Sequence, residues 1–221
     1  MSRPLIVTDC DEVLLHMVVP FRDWLDEVHA VDFDFSRPGF YEAMRRKACG
    51  SLVEQAEMWR LLNLFFREEM VRQTPIAGSV DALARLSKLA DVVVLTNLMD
   101  EHREARIAQL HGHGLPYPVH TNQGGKGSPV AALLETYRPS VALFIDDLPE
   151  HHHSVEQHAP HVWRLHMVGE PLHAPRIEAA GHAHARIDRW VEAEGWIRAR
   201  LQEGPASADI PTLSGLTAPH A

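Results

Sequence analysis

Leu5-Ile6-Val7-Thr8-Asp9-Cys10-Asp11-Glu12-Val13-Leu14 is the stretch on which the reading of this chain turns. Leu5 to Thr8 are apolar or β-branched. They predict a short buried strand that delivers Asp9 at its carboxyl end. Two further runs repeat the pattern: Val92-Val93-Val94-Leu95 ends at Thr96, and Val141-Ala142-Leu143-Phe144-Ile145 ends at Asp146. Near-continuous apolar runs suit strands covered on both faces, as in a parallel sheet. Weaker strands are expected from Tyr117 to His120 and from Val162 to Met167. Helical patterns fall between the strands. Ser79 caps one that runs through Val80, Leu83, Leu86 and Ala90. Ser128 caps another, with Pro129 in its first position and Val130, Leu133, Leu134 and Tyr137 on its apolar face. Strands alternating with helices predict an α/β fold with a Rossmann-like, doubly wound parallel sheet.

Residues 17–74 break the rhythm. Met17 to Ala30 reads as a helix, Val31 to Gly39 as a loop, and Ser51 to Arg72 as a long helix through Leu52, Ala56, Trp59, Leu62, Phe66 and Met70. The insertion is too long for a simple strand-to-helix connection and predicts a small helical cap domain. The expected division is a catalytic core of residues 1–16 and 75–203, a cap of residues 17–74, and a flexible tail of residues 204–221, rich in Pro, Ala, Ser, Gly and Thr. No internal repeat is present.

Composition narrows the functions. The chain has 221 residues, enough for one α/β domain with an insertion. A formal charge of −9 argues against a nucleic-acid binder held by phosphate contacts. It does not oppose a small phosphorylated substrate, because local charge can outweigh the global sign. Cys10 and Cys49 are the two cysteines, so a disulfide framework is not expected. No apolar run approaches the ~18–20 residues that span a bilayer, and the apolar run after Met1-Ser2-Arg3-Pro4 is too short for a signal peptide. A cytoplasmic protein with no membrane partner is expected. The oligomeric state is left open.

Each strand end carries a polar group, and ligands of open α/β sheets bind outside those ends. The first strand delivers Asp9 and Asp11, the second Thr96 and Asn97, the third Asp146 and Asp147. Lys126 lies in Gly124-Gly125-Lys126-Gly127-Ser128-Pro129, just ahead of a helix. Taken singly, each has a plainer reading: a charged strand-end turn, a helix cap or a surface cation. Taken in order, the four motifs resemble those of the haloacid dehalogenase superfamily over about residues 4 to 168. The cap falls between the first two motifs. One departure is Glu12, where that family often has Gly, and it bears on the turn after the first strand.

The resemblance implies a phosphatase of small phosphate esters that uses Mg²⁺. Phosphoryl transfer needs a positioned nucleophile and neutralised charge. Asp9 is expected to attack phosphorus and form an aspartyl-phosphate. Asp11 is expected to protonate the leaving oxygen and then activate water. By resemblance, Asp9, the Asp11 carbonyl, Asp147 and Asp146 form the metal site, a hard oxygen set suited to Mg²⁺. Thr96, Asn97 and Lys126 are expected to bind the transferring phosphoryl group.

Within that superfamily, dehalogenases lack a carboxylate at the second position, so Asp11 favours phosphoryl transfer. A phosphonate hydrolase needs an amine in the cap, and Lys47 keeps that alternative open. An inactive binding module is a further alternative. Lys47, Arg45 and Arg46 are expected either to form a solvated basic face or to read a distal anion on the substrate. Lys88, near the end of the Ser79 helix, is expected to serve the helix dipole. Cys10, flanked by carboxylates, is expected to pack beneath the site as an inert thiol. The run His151-His152-His153 is expected on a solvated loop.

Overall fold

The structure, a computed structural model, describes residues 2–37, 39–207 and 210–214. The Asp9 stretch begins as expected, with strand β1 (Leu5–Thr8). The chain then leaves the core through α1 (Val18–His29), β2 (Val31–Phe33), β3 (Met44–Arg46) and α2 (Gln55–Glu68). It returns with α3 (Ser79–Leu86), β4 (Asp91–Asn97), α4 (Arg103–Gly112), β5 (Val119–Asn122) and α5 (Gly127–Tyr137). It ends with β6 (Ala142–Asp146), α6 (Pro149–His158), β7 (Trp163–His166), the two-residue β8 (Ala185–Arg186) and α7 (Trp190–Glu203).

The main sheet has the order β5-β4-β1-β6-β7-β8, with all its pairs parallel. The apolar runs lack alternation because both faces are covered. Ile6, Val92, Val94, Leu143 and Ile145 meet Leu83, Leu110 and Ile197 on one face. Leu5, Val7, Val93, Leu95 and Phe144 meet Val130, Leu133 and Val155 on the other. Successive strands run outward from β1 through β4 to β5, and the chain then crosses back to place β6 on the opposite side of β1. That reversal opens a crevice at the carboxyl ends of β1 and β6. The register brings Asp9 and Asp146 there together, because Thr8 pairs with Ile145 and the Asp9 N–H donates to the Ile145 carbonyl at 2.8 Å.

The inserted unit is helical with one addition. Where the sequence read a loop from Val31 to Gly39, β2 pairs antiparallel with β3 in the register Val31–Arg46, Asp32–Arg45, Phe33–Met44. Val31 and Phe33 face inward and Asp32 outward, a two-residue period too short to stand out in the sequence. Pro38, part of that reading, lies outside the described residues. Phe21, Trp24, Phe33, Met44 and Phe65 form the unit's own apolar cluster, and Leu98 from the loop after β4 packs into it. The long helix is shorter than expected, and Trp59 is not part of the packing: it is 58% exposed on the outer face of α2.

Several caps differ from expectation. Gly78, with φ of 85°, is the N-cap of α3, and the Ser79 hydroxyl instead donates to the Leu14 carbonyl. α5 starts at Gly127 with Lys126 in the cap position, two residues ahead of the expected cap Ser128. The described part of the tail is docked: Trp163 Nε1 donates to the Gly204 carbonyl, and the Ala206 N–H donates to His161. The rest of the expected tail, residues 208, 209 and 215–221, lies outside the described residues. Among the described residues, no helix is long and apolar enough to cross a membrane.

Candidate active site

Asp9 sits directly after β1 and is nearly buried. The glycine-rich loop before α5 carries Lys126 inward: Gly124 has φ of 89°, and a Cβ on Gly127 would lie 2.1 Å from the Ser154 carbonyl oxygen of α6. The loop therefore passes too close to α6 for larger residues. Lys126 is fully buried, with its Nζ 2.8 Å from Asp9 Oδ1 and 2.7 Å from Asp146 Oδ2. One oxygen from each of Asp9, Asp146 and Asp147 lies within 4.8 Å of the others. Thr96, at the end of β4, is fully buried, and its hydroxyl has no hydrogen-bond partner among the described residues.

The electrostatics follow from this crowding. Burial pushes the Asp9 carboxyl up to about 6; Lys126 opposes the rise while Asp146 and Asp11 add to it. Burial, Asp146, Asp9 and Glu12 push Asp147 well above the usual carboxylate range. Burial alone would raise Asp146 too, but Lys126 and His151 outweigh it and hold Asp146 below its usual range. Burial acts to lower Lys126, and Asp146 and Asp9 more than reverse it. One ammonium thus pairs with two of three carboxylates that each bring an oxygen within 4.8 Å of the others. That donor set and charge fit a hard divalent cation such as Mg²⁺.

Asp11 points into a different set of contacts. Arg106 of α4, fully buried, donates from Nη2 to both Asp11 oxygens at 3.0 Å. Gln73 Nε2 donates to Asp11 Oδ1 at 2.6 Å. Arg106 Nη1 also lies 3.1 Å from Cys10 Sγ, and its guanidinium stands over the Phe66 ring of the cap. Cys10 is buried, and that burial pushes its thiol far up, in keeping with an inert residue. Glu12 has φ of 60°, the left-handed backbone that favours glycine. Its Oε1 accepts the Met17 and Val18 N–H groups at 2.8 and 2.7 Å, capping α1, whose own N-cap residue supplies no side-chain bond. The left-handed conformation costs about 1–2 kcal/mol. Two hydrogen bonds from main-chain N–H groups, each worth about 0.5–1.5 kcal/mol net, offset it.

No family model and no curated protein matches the chain. Solved structures do match. A haloacid dehalogenase-like family protein from Streptococcus pneumoniae superposes with a TM-score of 0.60 at 11% identity, over 87% of this chain and 97% of its own. A predicted phosphoglycolate phosphatase from Haemophilus somnus gives 0.61 at 13% identity, over 87% and 97%. A haloacid dehalogenase-superfamily hydrolase from Geobacter sulfurreducens gives 0.55 at 17% identity, over 88% and 100%. The chain has the haloacid dehalogenase fold.

On the haloacid dehalogenase fold, the structure brings Asp9, Thr96, Lys126, Asp146 and Asp147 to one mouth of the sheet. Asn97 is there too, but its amide is occupied. Its Nδ2 donates to the Gly124 carbonyl at 2.9 Å, and its Oδ1 accepts from Asn122 Nδ2 at 2.9 Å. The basic trio is engaged within the cap. Arg45 donates to the Gly50 carbonyl, Arg46 pairs with Glu57, and Lys47 pairs with Asp26 and Asp32. The reading of residues 151–153 as a solvated loop is overturned. They lie in α6, with His151 3% and His152 0% exposed. Pro149 at the helix start and the spacing His151, His152, Val155 are the sequence signals for that buried face. Arg106 and Gln73 were also missed. Arg106 stands four residues before the buried Leu110 on one face of α4, a legible spacing; Gln73 carries no comparable mark.

Proposed function

We propose that the chain is a Mg²⁺-dependent phosphohydrolase that acts on a small phosphate monoester through an aspartyl-phosphate on Asp9. One observation carries this reading: a buried carboxylate nucleophile, a buried ammonium, an unpartnered buried hydroxyl and a carboxylate cluster converge at one crevice. The fold supports it, since several of the structures that share it are described as hydrolases, two as phosphoglycolate phosphatases and one as a β-phosphoglucomutase.

In this reading Asp9 attacks phosphorus, the bond to the ester oxygen breaks, and Asp11 gives that oxygen its proton. Asp11 then takes a proton from water, which attacks the phosphorus of the acyl phosphate. Inorganic phosphate leaves and Asp9 is restored. Lys126 Nζ and the Thr96 hydroxyl hold the non-bridging oxygens, a role consistent with a buried hydroxyl that has no hydrogen-bond partner among the described residues. Asp9, Asp147 and the Asp11 carbonyl would hold Mg²⁺, which when bound would supply positive charge to neutralise the phosphoryl oxygens. Asp11 must turn off Arg106 and Gln73 to meet the leaving oxygen.

The test is phosphate release from a generic aryl phosphate with and without Mg²⁺. Asp9→Asn is expected to abolish it while leaving the fold intact, with a cooperative thermal transition retained. Undiminished turnover in that variant, or in excess chelator, would sink the proposal. Arg45, Arg46 and Lys47 enter as readers of a distal anionic group, a role that requires them to leave their cap partners. Alanine substitutions there are then expected to raise KM for an anion-bearing ester more than for the aryl phosphate. Equal effects on both assign the three to the cap alone. Nothing observed favours the phosphonate alternative, because the Lys47 ammonium lies between two cap carboxylates.

A further inference from the structure

The histidine run is the sequence feature that this chemistry does not use, and its hydrogen bonds are specific. His151 Nδ1 lies 2.9 Å from Asp146 Oδ1, and its Nε2 lies 3.1 Å from Asn97 Nδ2. The Asn97 amide is oriented unambiguously. Its nitrogen faces the Gly124 carbonyl and its oxygen faces the Asn122 amide nitrogen. His151 Nε2 therefore meets a donor and must accept, so the ring proton sits on Nδ1 and is donated to Asp146.

The neighbouring histidines hold the backbone in the same way. His166 Nδ1 accepts the Ala180 N–H at 2.9 Å, so its Nε2 donates to the Asp147 carbonyl at 2.8 Å. His152 Nε2 donates to the Asp146 carbonyl at 3.0 Å. Three imidazoles thus fix the end of β6, two through main-chain carbonyls and His151 through a side chain.

The bond at Asp146 decides what that carboxylate can do. Its Oδ1 accepts from His151 and from the Leu148 N–H at 2.9 Å, and its Oδ2 accepts from Lys126. With three donors on two oxygens, Asp146 is committed to the protein, whereas the Asp147 carboxylate has no such partner among the described residues and is partly exposed. We propose that His151 is a positioning residue: it clamps Asp146 between the β4 loop and Lys126, and so leaves Asp147 as the β6 carboxylate presented to the cation. The consequence for Mg²⁺ rests on the function proposed above; the clamp itself does not.

Two measurements separate these. Long-range ¹H–¹⁵N correlation spectra of the metal-free protein report the tautomer of each histidine. His151 is expected with its proton on Nδ1, and His152 and His166 with theirs on Nε2. A His151 proton on Nε2 overturns the clamp whatever the protein's activity. Calorimetric titration with Mg²⁺ alone then compares His151→Asn, His151→Gln and His151→Ala, each first checked for a cooperative thermal transition. Asn places an amide donor where Nδ1 lies, whereas Gln reaches only the Nε2 position. Loss of an outer partner of a metal site typically weakens metal binding about 10–100-fold. That loss is expected for His151→Ala and His151→Gln, with His151→Asn within about threefold of the parent. Parent-like binding in His151→Ala, or equal loss in all three variants, overturns the inference. A parent protein that binds no Mg²⁺ defeats the metal reading, and the tautomer spectrum still decides the clamp.

Discussion

At Asp11 two demands meet on one side chain. Both its oxygens accept from one nitrogen of a fully buried arginine, yet the proposed chemistry asks it to pass a proton. The pair serves the resting fold. Removing one partner of a buried ion pair strands the other charge, and Arg106→Met is expected to lower unfolding stability by about 3 kcal/mol in a denaturant titration. A loss below about 1 kcal/mol would mean that solvent satisfies the freed carboxylate. Asp11→Asn keeps the nucleophile and removes the proton carrier, so single-turnover rates are expected to fall about 10²–10⁴-fold. A change within about threefold would remove Asp11 from the acid–base role. The sequence shows why Asp9, Asp11, Thr96, Lys126 and Asp147 were legible: each stands at a strand end or in a glycine-rich loop. Gln73 carries no spacing rule; the spacing of Arg106 and Leu110 marks the buried face of α4 but not the partner, and only the folded chain brings both side chains to Asp11.

At the scale of elements, the strands were legible and the cap only partly so. β1, β4 and β6 are buried on both faces, and continuous apolar runs announce that directly. β2 and β3 have three residues each, so their alternation is too short to distinguish from a loop. In α2 the helical period holds, and Leu62, Phe66 and the following Met70 pack in the cap cluster as expected, but the face centres about one residue earlier. Met58, Leu61, Phe65 and Phe66 are buried, while Trp59 turns to solvent. This separates two substitutions on neighbouring turns. Phe65→Ala is expected to lower stability by about 3–5 kcal/mol, because Phe65 is fully buried against Phe21 and Trp24. Trp59→Ala is expected to stay within about 0.5 kcal/mol of the parent. Equal losses in thermal or chemical unfolding would place Trp59 in the packing after all.

At the scale of the whole molecule, a partly buried histidine ties stability to pH. His184 is held down to about 4 by burial and by Arg164 and Arg200, while its Nδ1 accepts the Arg164 N–H at 3.0 Å. The unfolded chain binds that proton near 6.5, before the folded chain does. The contribution of His184 is therefore complete above about 6.5 and is lost as the pH falls towards 4. Glu12 acts in the opposite sense. Burial raises it to about 7, so it stabilises the fold below about 4.5 and loses that effect as the pH rises through 7. A single variant isolates the histidine. His184→Asn keeps an acceptor for the Arg164 N–H and has no proton to gain. Between pH 7.5 and 5 its thermal midpoint is expected to fall less than the parent's, by about 2–4 °C for a difference of order 1 kcal/mol at partial exposure. Parallel falls in both proteins would show that His184 does not couple folding to protons. The overall topology was legible because alternating apolar runs and helices allow few crossovers. The seating of the segment around Gly204 and Ala206 was not, because Gly- and Ala-rich stretches look alike whether docked or free.

The nucleophile itself can be observed. The protein would be mixed with an aryl phosphate and Mg²⁺, quenched in acid during turnover, and examined by mass spectrometry after proteolysis. The account predicts one added phosphoryl group on the peptide that contains Asp9, absent from Asp9→Asn. Turnover with no adduct on that peptide, or an adduct on any other residue, would contradict it.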